Sequence, residues 1–461
     1  MKKAVLKTEA DRHSVSADRN KEYVRKLTRM INCKTVWTYD NENESEYKKF
    51  YSVLEEEFPN ITAKAEKLTF GGGCFVYVVK GKNAKKNIML MSHHDVVEGS
   101  DDWKTDPFNA VEKNGWLYGR GTIDTKTPLF AELMACEELL AEGYELENIN
   151  LYIGSSNNEE VCGDGMVLAT EYFKENGIRF DTVLDEGGAI TEGQIPGVEC
   201  KSAMVAVHEK SRHMYRCSTE IDTKGHGGFG GATDSAVERL SRFITEVSDK
   251  KNKIYKGRFY PEVKATFERH VPYLSFPMNF LFGNLNLFGP LIKKIMMTIP
   301  AASAMLSTGL SFTTLKAGSE LDPQIRAKTA ETTMFLRCVR EDDLYQGLEK
   351  IKAIGKKYGV KIEEIERDYC QPTDFNSDSF KTVEALLREN FPDVAVAPFL
   401  LTAGTDARRF TDVADNILRF APIDLNKDQF GTIHAANEHI GIKNIGECVV
   451  FYKDFIKKIN S

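Results

Sequence analysis

A chain of 461 residues is too long for one ordinary hydrophobic core and calls for two domains, each able to bury a core of its own. Its formal net charge of −7, without any Lys/Arg-rich block, argues against a nucleic-acid partner. Residues 1–20 lack the apolar stretch of a secretory signal and the nine cysteines never form a Cys-x-x-Cys pair, so the expectation is a cytoplasmic protein with reduced thiols.

In chain order, apolar spacing predicts helices over 22–30 and 46–58, the second closed by Pro59. After the glycine turn at 71–73, residues 74–79 read as a strand. Ile88-Met89-Leu90-Met91-Ser92-His93-His94-Asp95-Val96-Val97 is a short apolar strand that stops at a histidine, the kind of strand end where open α/β folds keep ligands. His93 and Asp95, two apart in extended chain, point to the same side. The carboxylate can then accept from one ring nitrogen while the other faces a metal. Nothing in this stretch alone chooses between His93 and His94.

A loop with Trp103, Pro107 and Trp116 leads to Leu117-Tyr118-Gly119-Arg120-Gly121-Thr122-Ile123-Asp124, and Thr127-Pro128 opens a long amphipathic helix to about Glu142. Residues 149–153 form another apolar strand, running into Ser155-Ser156-Asn157-Asn158-Glu159-Glu160. A helix over 166–176 precedes a third, Thr182-Val183-Leu184, which meets Asp185-Glu186-Gly187-Gly188. Strands alternating with helices predict a three-layer α/β domain.

After about Ser211 the pattern changes to a strand over 214–221, a helix over 233–247, a strand over 332–339, a helix over 343–358 and a strand over 361–366. This reads as helices packed on a small antiparallel sheet. From 370 the α/β pattern returns, with a helix over 380–390 and strands near Val394 and Ile417. The expected organisation is a catalytic domain in two parts, 1–211 and 370–461, with a lid domain inserted over 212–369. The unusually apolar run 276–310 is interrupted by Asn284, Asn286, Pro290, Lys293, Lys294 and Pro300, which leaves no membrane-spanning length. It reads as a buried helical insertion in preference to a surface for an apolar ligand or lipid.

Histidines and acids accumulate at successive strand ends: His93, Asp124, Glu159, Glu160, Glu186 and, near the C-terminus, His434. Any one of the acids is most simply a solvated loop charge; their repetition is not. One metal ion needs three protein ligands and an open position, whereas two ions close together need about five with a shared carboxylate, and the set has the size for two.

His93-His94-Asp95-Val96-Val97, Tyr118-Gly119-Arg120-Gly121-Thr122-Ile123-Asp124-Thr125-Lys126, Glu159-Glu160, Asp185-Glu186-Gly187-Gly188, Gly225-His226-Gly227, Gly404-Thr405-Asp406-Ala407-Arg408 and His434-Ala435-Ala436-Asn437-Glu438 together resemble the dinuclear zinc peptidases that include aminoacylase, carboxypeptidase G and carboxypeptidase S. With Phe420-Ala421-Pro422-Ile423 and the apolar insertion, the chain looks closest to carboxypeptidase S and the N-acyl-amino-acid amidases. The resemblance implies a three-layer α/β zinc-peptidase catalytic domain with an inserted ferredoxin-like α+β sandwich as lid.

It further implies that Asp124 bridges two Zn2+ ions, with Co2+ or Mn2+ as substitutes. His93 and Glu186 would complete one site, and Glu160 and His434 the other; Asp185 is the neighbour that replaces Glu186 if the register is off by one. Asp95 would orient His93, and Glu159 would be the general base. The lid's His226, otherwise a loop histidine among glycines, would hold the oxyanion. Arg408, and less directly Arg337, would grip a substrate carboxylate. The implied reaction releases a C-terminal amino acid from an N-acyl amino acid or short peptide. The alternatives are a dipeptidase or aminopeptidase of the same family, or a metal-stabilised binding protein without activity. A homodimer through the lid, and whether His226 acts in its own subunit, stay open.

Four positions depart from the family pattern. Glu98 stands for a proline, Thr127 for a glycine and Asn158 for an acid, and Asp322-Pro323-Gln324-Ile325 replaces an Asn-Val-Ile-Pro run, which bears on substrate preference.

Overall fold

The computed structural model describes residues 4–40, 42–193, 195–222, 235–252, 254–318 and 324–461. They form two units: one comprises Met1–His208, Glu262–Leu285 and Gln371–Ser461, the other Glu209–Pro261 and Asn286–Cys370.

The first unit is built on a ten-stranded mixed sheet. At its centre Lys86–Met91 runs parallel to Ile149–Ser155 on one side and Thr182–Asp185 on the other, and Ile417–Arg419 extends the parallel set beyond Thr182–Asp185. Glu66–Phe70 and Cys74–Val79 add an antiparallel edge, and Ser202–Glu209 pairs antiparallel with Ile417–Arg419. Successive side chains of a strand face opposite sides. Ile88, Leu90, Leu151, Ile153 and Leu184 accordingly enter one core, while Met89, Met91, Tyr152 and Val183 enter another. Helices Ala17–Ile31, Lys126–Ala141 and Ile442–Asn460 contribute to the first core; helix Gly165–Glu175 and the 3-10 turn Asp406–Asp412 contribute to the second. Burial on both faces explains why these strands read as unbroken apolar runs.

Some elements differ from expectation. Pro59 does not simply end a helix; after Glu44–Glu57 it occupies the first turn of a short one, Pro59–Lys64, where its missing N–H costs nothing. Lys126–Ala141 is not amphipathic: its residues are buried through Leu140, because neighbouring helices cover it on several sides. Two of its acids find internal partners: one oxygen of Glu132 accepts from the Ser92 hydroxyl at 2.9 Å, and Glu137 accepts the backbone N–H groups of Asn60 and Ile61.

The second unit has a five-stranded sheet with Ser211–Glu220 between Thr329–Cys338 and Lys361–Asp368, all antiparallel, and Gly309–Phe312 outside Thr329–Cys338. Thr329–Cys338 alternates buried and open residues, and helices Ala236–Ser248 and Glu341–Tyr358 share the core beneath it. Ser235 and Glu238 form a capping box at the start of the first of these helices.

Within the stretch 212–369, Glu262–Leu285 clusters with the first unit. Thr266 donates to the carbonyl of Pro398 at 2.6 Å, and the His270 ring meets the Ser202 hydroxyl at 2.9 Å. Among the described residues no helix is long and apolar enough to cross a membrane.

Candidate metal centre

The parallel strands deliver the site. His93 lies two residues beyond Lys86–Met91, Glu159 and Glu160 follow Ile149–Ser155, and Glu186 follows Thr182–Asp185. All three strand ends are on the carboxyl edge, where open α/β sheets place ligands. Asp124 and His434 arrive from loops joined by a small sheet, in which His439–Gly441 pairs antiparallel with Trp116–Tyr118, His439 opposite Tyr118.

Glu438, fully buried, clamps this junction. One of its oxygens accepts the backbone N–H groups of Ile123 at 2.6 Å and Asp124 at 3.1 Å, and the other accepts Gly121 N–H at 3.2 Å and the Arg120 guanidinium at 2.7 Å. The loop needs Gly121, whose φ of +90° would strain a residue with a Cβ. Thr125 then ties the Asp124 loop to the carbonyl of His93 at 3.0 Å.

The two oxygens of Asp124 face different histidines. His93 Nε2 lies 3.0 Å from Oδ1, and His434 Nε2 lies 2.9 Å from Oδ2 and 3.0 Å from Glu160 Oε2. Ligand atoms of His93, Asp124 and Glu160 all lie within 4.8 Å of one another. His434 holds a left-handed backbone, φ +58°, a conformation unfavourable for most side chains and one met at functional sites. Glu186 belongs to the same electrostatic cluster: burial raises its carboxyl well above the ordinary range, and the charges of Asp185, Asp124 and Glu159 add to this against the pull of His93.

Charge in the cluster is unbalanced toward the acids. Hydrogen bonds to Asp124 and Glu160 raise the His434 imidazole to about 10. Burial opposes charge on His93, yet Asp124 and Asp95 hold its imidazole well above the usual range. Burial likewise opposes charge on Asp124, but the two histidines keep it below the ordinary carboxylate range. Glu160, raised by burial, keeps Oε1 buried without a hydrogen-bond partner among the described residues. Two imidazoles facing buried carboxylates, with one carboxylate oxygen lacking a partner among the described residues, make a donor set of the kind that divalent metals take.

Asp95 reaches both His93 and the acid pair. The ring nitrogen Nδ1 of His93 approaches the Asp95 backbone carbonyl at 2.9 Å and its carboxylate only at 3.4 Å. The carboxylate also accepts the backbone N–H of Glu159 at 3.1 Å and of Glu160 at 3.0 Å, one on each oxygen. His94 turns away. It stacks on Phe50 with a 4.9 Å centroid separation, and its Nδ1 lies 2.8 Å from Ser155 Oγ.

Asp185 has both oxygens engaged, accepting Glu186 N–H at 2.9 Å and Ala407 N–H at 2.8 Å, and burial beside Asp406 raises it to about 7. Ser156 donates to Asp406. Arg408, buried, places Nη1 3.8 Å from Glu159 Oε1 and also donates to the carbonyl of Thr405.

Of the remaining expected residues, Arg337 lies in the second unit on Thr329–Cys338, opposite Arg212. His226, with Gly225 and Gly227, and Asp322-Pro323 lie outside the described residues. Sequence reasoning missed the roles of Glu438, Arg120 and Asp406. Each sits inside a motif that it singled out, but only spatial contact distinguishes a clamp from a solvated charge.

The sequence profile of peptidase family M20/M25/M40 matches residues 89–458. A probable carboxypeptidase S-like 2 of Dictyostelium discoideum is 29% identical over 425 residues, covering 90% of this chain and 80% of its own. An N-fatty-acyl-amino acid synthase/hydrolase of Mus musculus is 26% identical over 441 residues, covering 92% and 85%. Among solved structures, the metallo-carboxypeptidase Sso-CP2 of Sulfolobus solfataricus shares the fold with a TM-score of 0.67 at 20% identity, over 95% of this chain and 98% of that one.

Proposed function

The chain belongs to peptidase family M20/M25/M40, and from that premise we propose that it hydrolyses the amide bond of N-acyl amino acids or short peptides, releasing the C-terminal amino acid. The observation that carries this reading is Asp124, which offers one oxygen toward His93 and the other toward His434 and Glu160. This supports Asp124 as a carboxylate that two ions would share. His93, Asp124 and Glu186 would hold one Zn2+, and Asp124, Glu160 and His434 the other. Asp185, whose oxygens are already taken by backbone amides, is the weaker candidate ligand.

When bound, the metal pair supplies positive charge that acidifies an attacking water and polarises the scissile carbonyl. The protein's own groups do the rest. Burial raises the Glu159 carboxyl well above the ordinary range, against the pull of His93 and Arg408, which suits a base that must keep a proton long enough to deliver it. Glu159 takes the proton from water as the carbonyl carbon is attacked, then gives it to the leaving nitrogen as the C–N bond breaks. Asp95, gripping the backbone at Glu159 and Glu160 together, fixes the base relative to its neighbouring ligand.

Arg408 would hold the substrate's terminal carboxylate, since a guanidinium matches a carboxylate in a two-point fork. The resemblance gives His226 the developing oxyanion, and Arg337 is a weaker candidate than Arg408 for the carboxylate. The names of the two relatives, a carboxypeptidase and a fatty-acyl-amino acid hydrolase, support an acylated or peptidic amide with a free carboxylate.

The test is a panel of N-acyl amino acids and dipeptides, assayed after loading with zinc or cobalt, with metal stoichiometry measured on the same sample. The proposal expects about two ions per chain and turnover of acetylated substrates carrying a free carboxylate. Exclusive turnover of free-amine dipeptides would favour an aminopeptidase, and metal binding without turnover would indicate an inactive binding protein.

A further inference from the structure

Outside the metal centre, helix Leu285–Met296 presents an unusual surface. All but its first residue belongs to the second unit. A helix advances about 100° per residue, so positions four apart share a face. Ile292 and Met296 are buried, and a Cβ on Gly289 would sit 3.8 Å from the Phe259 ring; this face is turned into the unit. The other face carries Leu287, Leu291 and Ile295, which are 72%, 57% and 55% exposed, and Lys294 projects among them. Met297 and Ile299 continue the exposed apolar surface just past the helix end.

The charge pattern says what such a surface fits. The chain as a whole is acidic, with 68 Asp and Glu against 61 Lys and Arg, yet no Asp or Glu occurs anywhere in 269–319. The helix itself carries only positive charge, Lys293 and Lys294. At 12 residues it is far too short to span a bilayer, and it has large aliphatic groups on the open face with lysines able to extend toward headgroups. An interfacial helix needs those features: apolar side chains entering the headgroup boundary and cations meeting anionic lipid.

We infer that the second unit docks peripherally on an anionic phospholipid surface through Leu287, Leu291, Ile295 and Lys294. Because the helix is already folded and anchored by its buried face, docking orders little additional chain.

Flotation of the full-length protein with phosphatidylserine-containing vesicles, against pure phosphatidylcholine vesicles, tests this without any dependence on hydrolysis, so its failure is separate from failure of the proposed activity. The expected result is flotation with the anionic vesicles that declines as salt is raised. The triple variant Leu287→Ser, Leu291→Ser, Ile295→Ser should partition about tenfold or more weaker. Lys293→Glu with Lys294→Glu, which leaves the apolar stripe intact, should abolish the preference for anionic lipid. Unchanged circular dichroism and thermal transitions show that both variants fold. The inference is overturned if the wild type stays unbound at low salt, if either variant floats like the wild type, or if light scattering in the absence of lipid shows a dimer that the triple variant dissociates, which would assign the stripe to a second copy.

Discussion

Glu438 accepts the backbone N–H of Asp124 at 3.1 Å, so the residue that fixes the shared carboxylate comes from the segment that also supplies His434. The same side chain neutralises Arg120, which is 1% exposed. In Glu438→Gln one oxygen becomes an amide that cannot accept, and Arg120 is left as a buried charge without its counterion. Zinc affinity, measured by competition with a chelator, should fall by about 10–100-fold, the usual cost of losing support behind a ligand. The metal-free protein should lose about 3–5 kcal/mol of stability in denaturant. Unchanged zinc affinity would refute the clamp.

Asp95 has a different signature. Asp95→Asn keeps shape but leaves one of the Glu159 and Glu160 amides facing an NH2 group. The expected outcome is a fall in kcat of about 10–100-fold, with KM little changed and both metals still present by elemental analysis.

Glu159→Ala should retain about two metal ions and lose turnover by about 10²–10⁴-fold, the usual contribution of a positioned general base. An active variant would remove Glu159 from the mechanism.

The adjacent histidines should separate cleanly. His93→Ala should lose metal from one site. His94→Ala should keep both ions but destabilise the fold by about 1–3 kcal/mol, because its ring is buried and stacked on Phe50. Metal loss in His94→Ala alone would invert the assignment.

Metal uptake should depend on pH in a fixed direction. The carboxylates raise His434 to about 10 and His93 well above its ordinary value, so the metal-free centre holds protons that an ion must displace. Calorimetry in buffers of different ionisation enthalpy should show proton release on zinc binding, and affinity should rise as the pH climbs from neutral toward 10. Stability has a separate acid limit at Glu57. Burial opposes its charge, but hydrogen bonds from Arg25 and Arg29 lower its carboxyl from 4.5 to about 2. Its contribution is complete above the unfolded value and is lost as the pH falls through about 2. The stability gap between wild type and Glu57→Gln should therefore close on acidification.

The sequence carried the parts of the site that have one-dimensional signatures: apolar runs ending in His93, Glu159-Glu160 and Asp185-Glu186, where side-chain alternation and strand ends can be read directly. It carried less where the cause is tertiary. Ser202–Glu209 is buried along its whole length and offers no period to read. Lys126–Ala141 looked amphipathic because its acids resemble a solvated face, yet Glu132 and Glu137 are consumed by partners far away in sequence. The anchoring of Glu262–Leu285 to the first unit rests on contacts such as Thr266 with Pro398, which no local pattern encodes. Asp95 shows the same limit within a motif: its position beside His93 was legible, but its hold on the Glu159 and Glu160 backbone was not.

The pairing of His439–Gly441 with Trp116–Tyr118 also sets a schedule for biosynthesis. A ribosome completes the segments bearing His93, Asp124, Glu160 and Glu186 long before it reaches His434 and Glu438, so a nascent chain holds a cluster of acids without the Glu438 carboxylate that accepts from the Asp124 backbone. A site that includes His434 and rests on Glu438 can close only once His439–Gly441 has been made and has joined Trp116–Tyr118, synthesised hundreds of residues earlier. A chain lacking the segment from His434 onward would lose a candidate ligand together with helix Ile442–Asn460, which contributes to the first core.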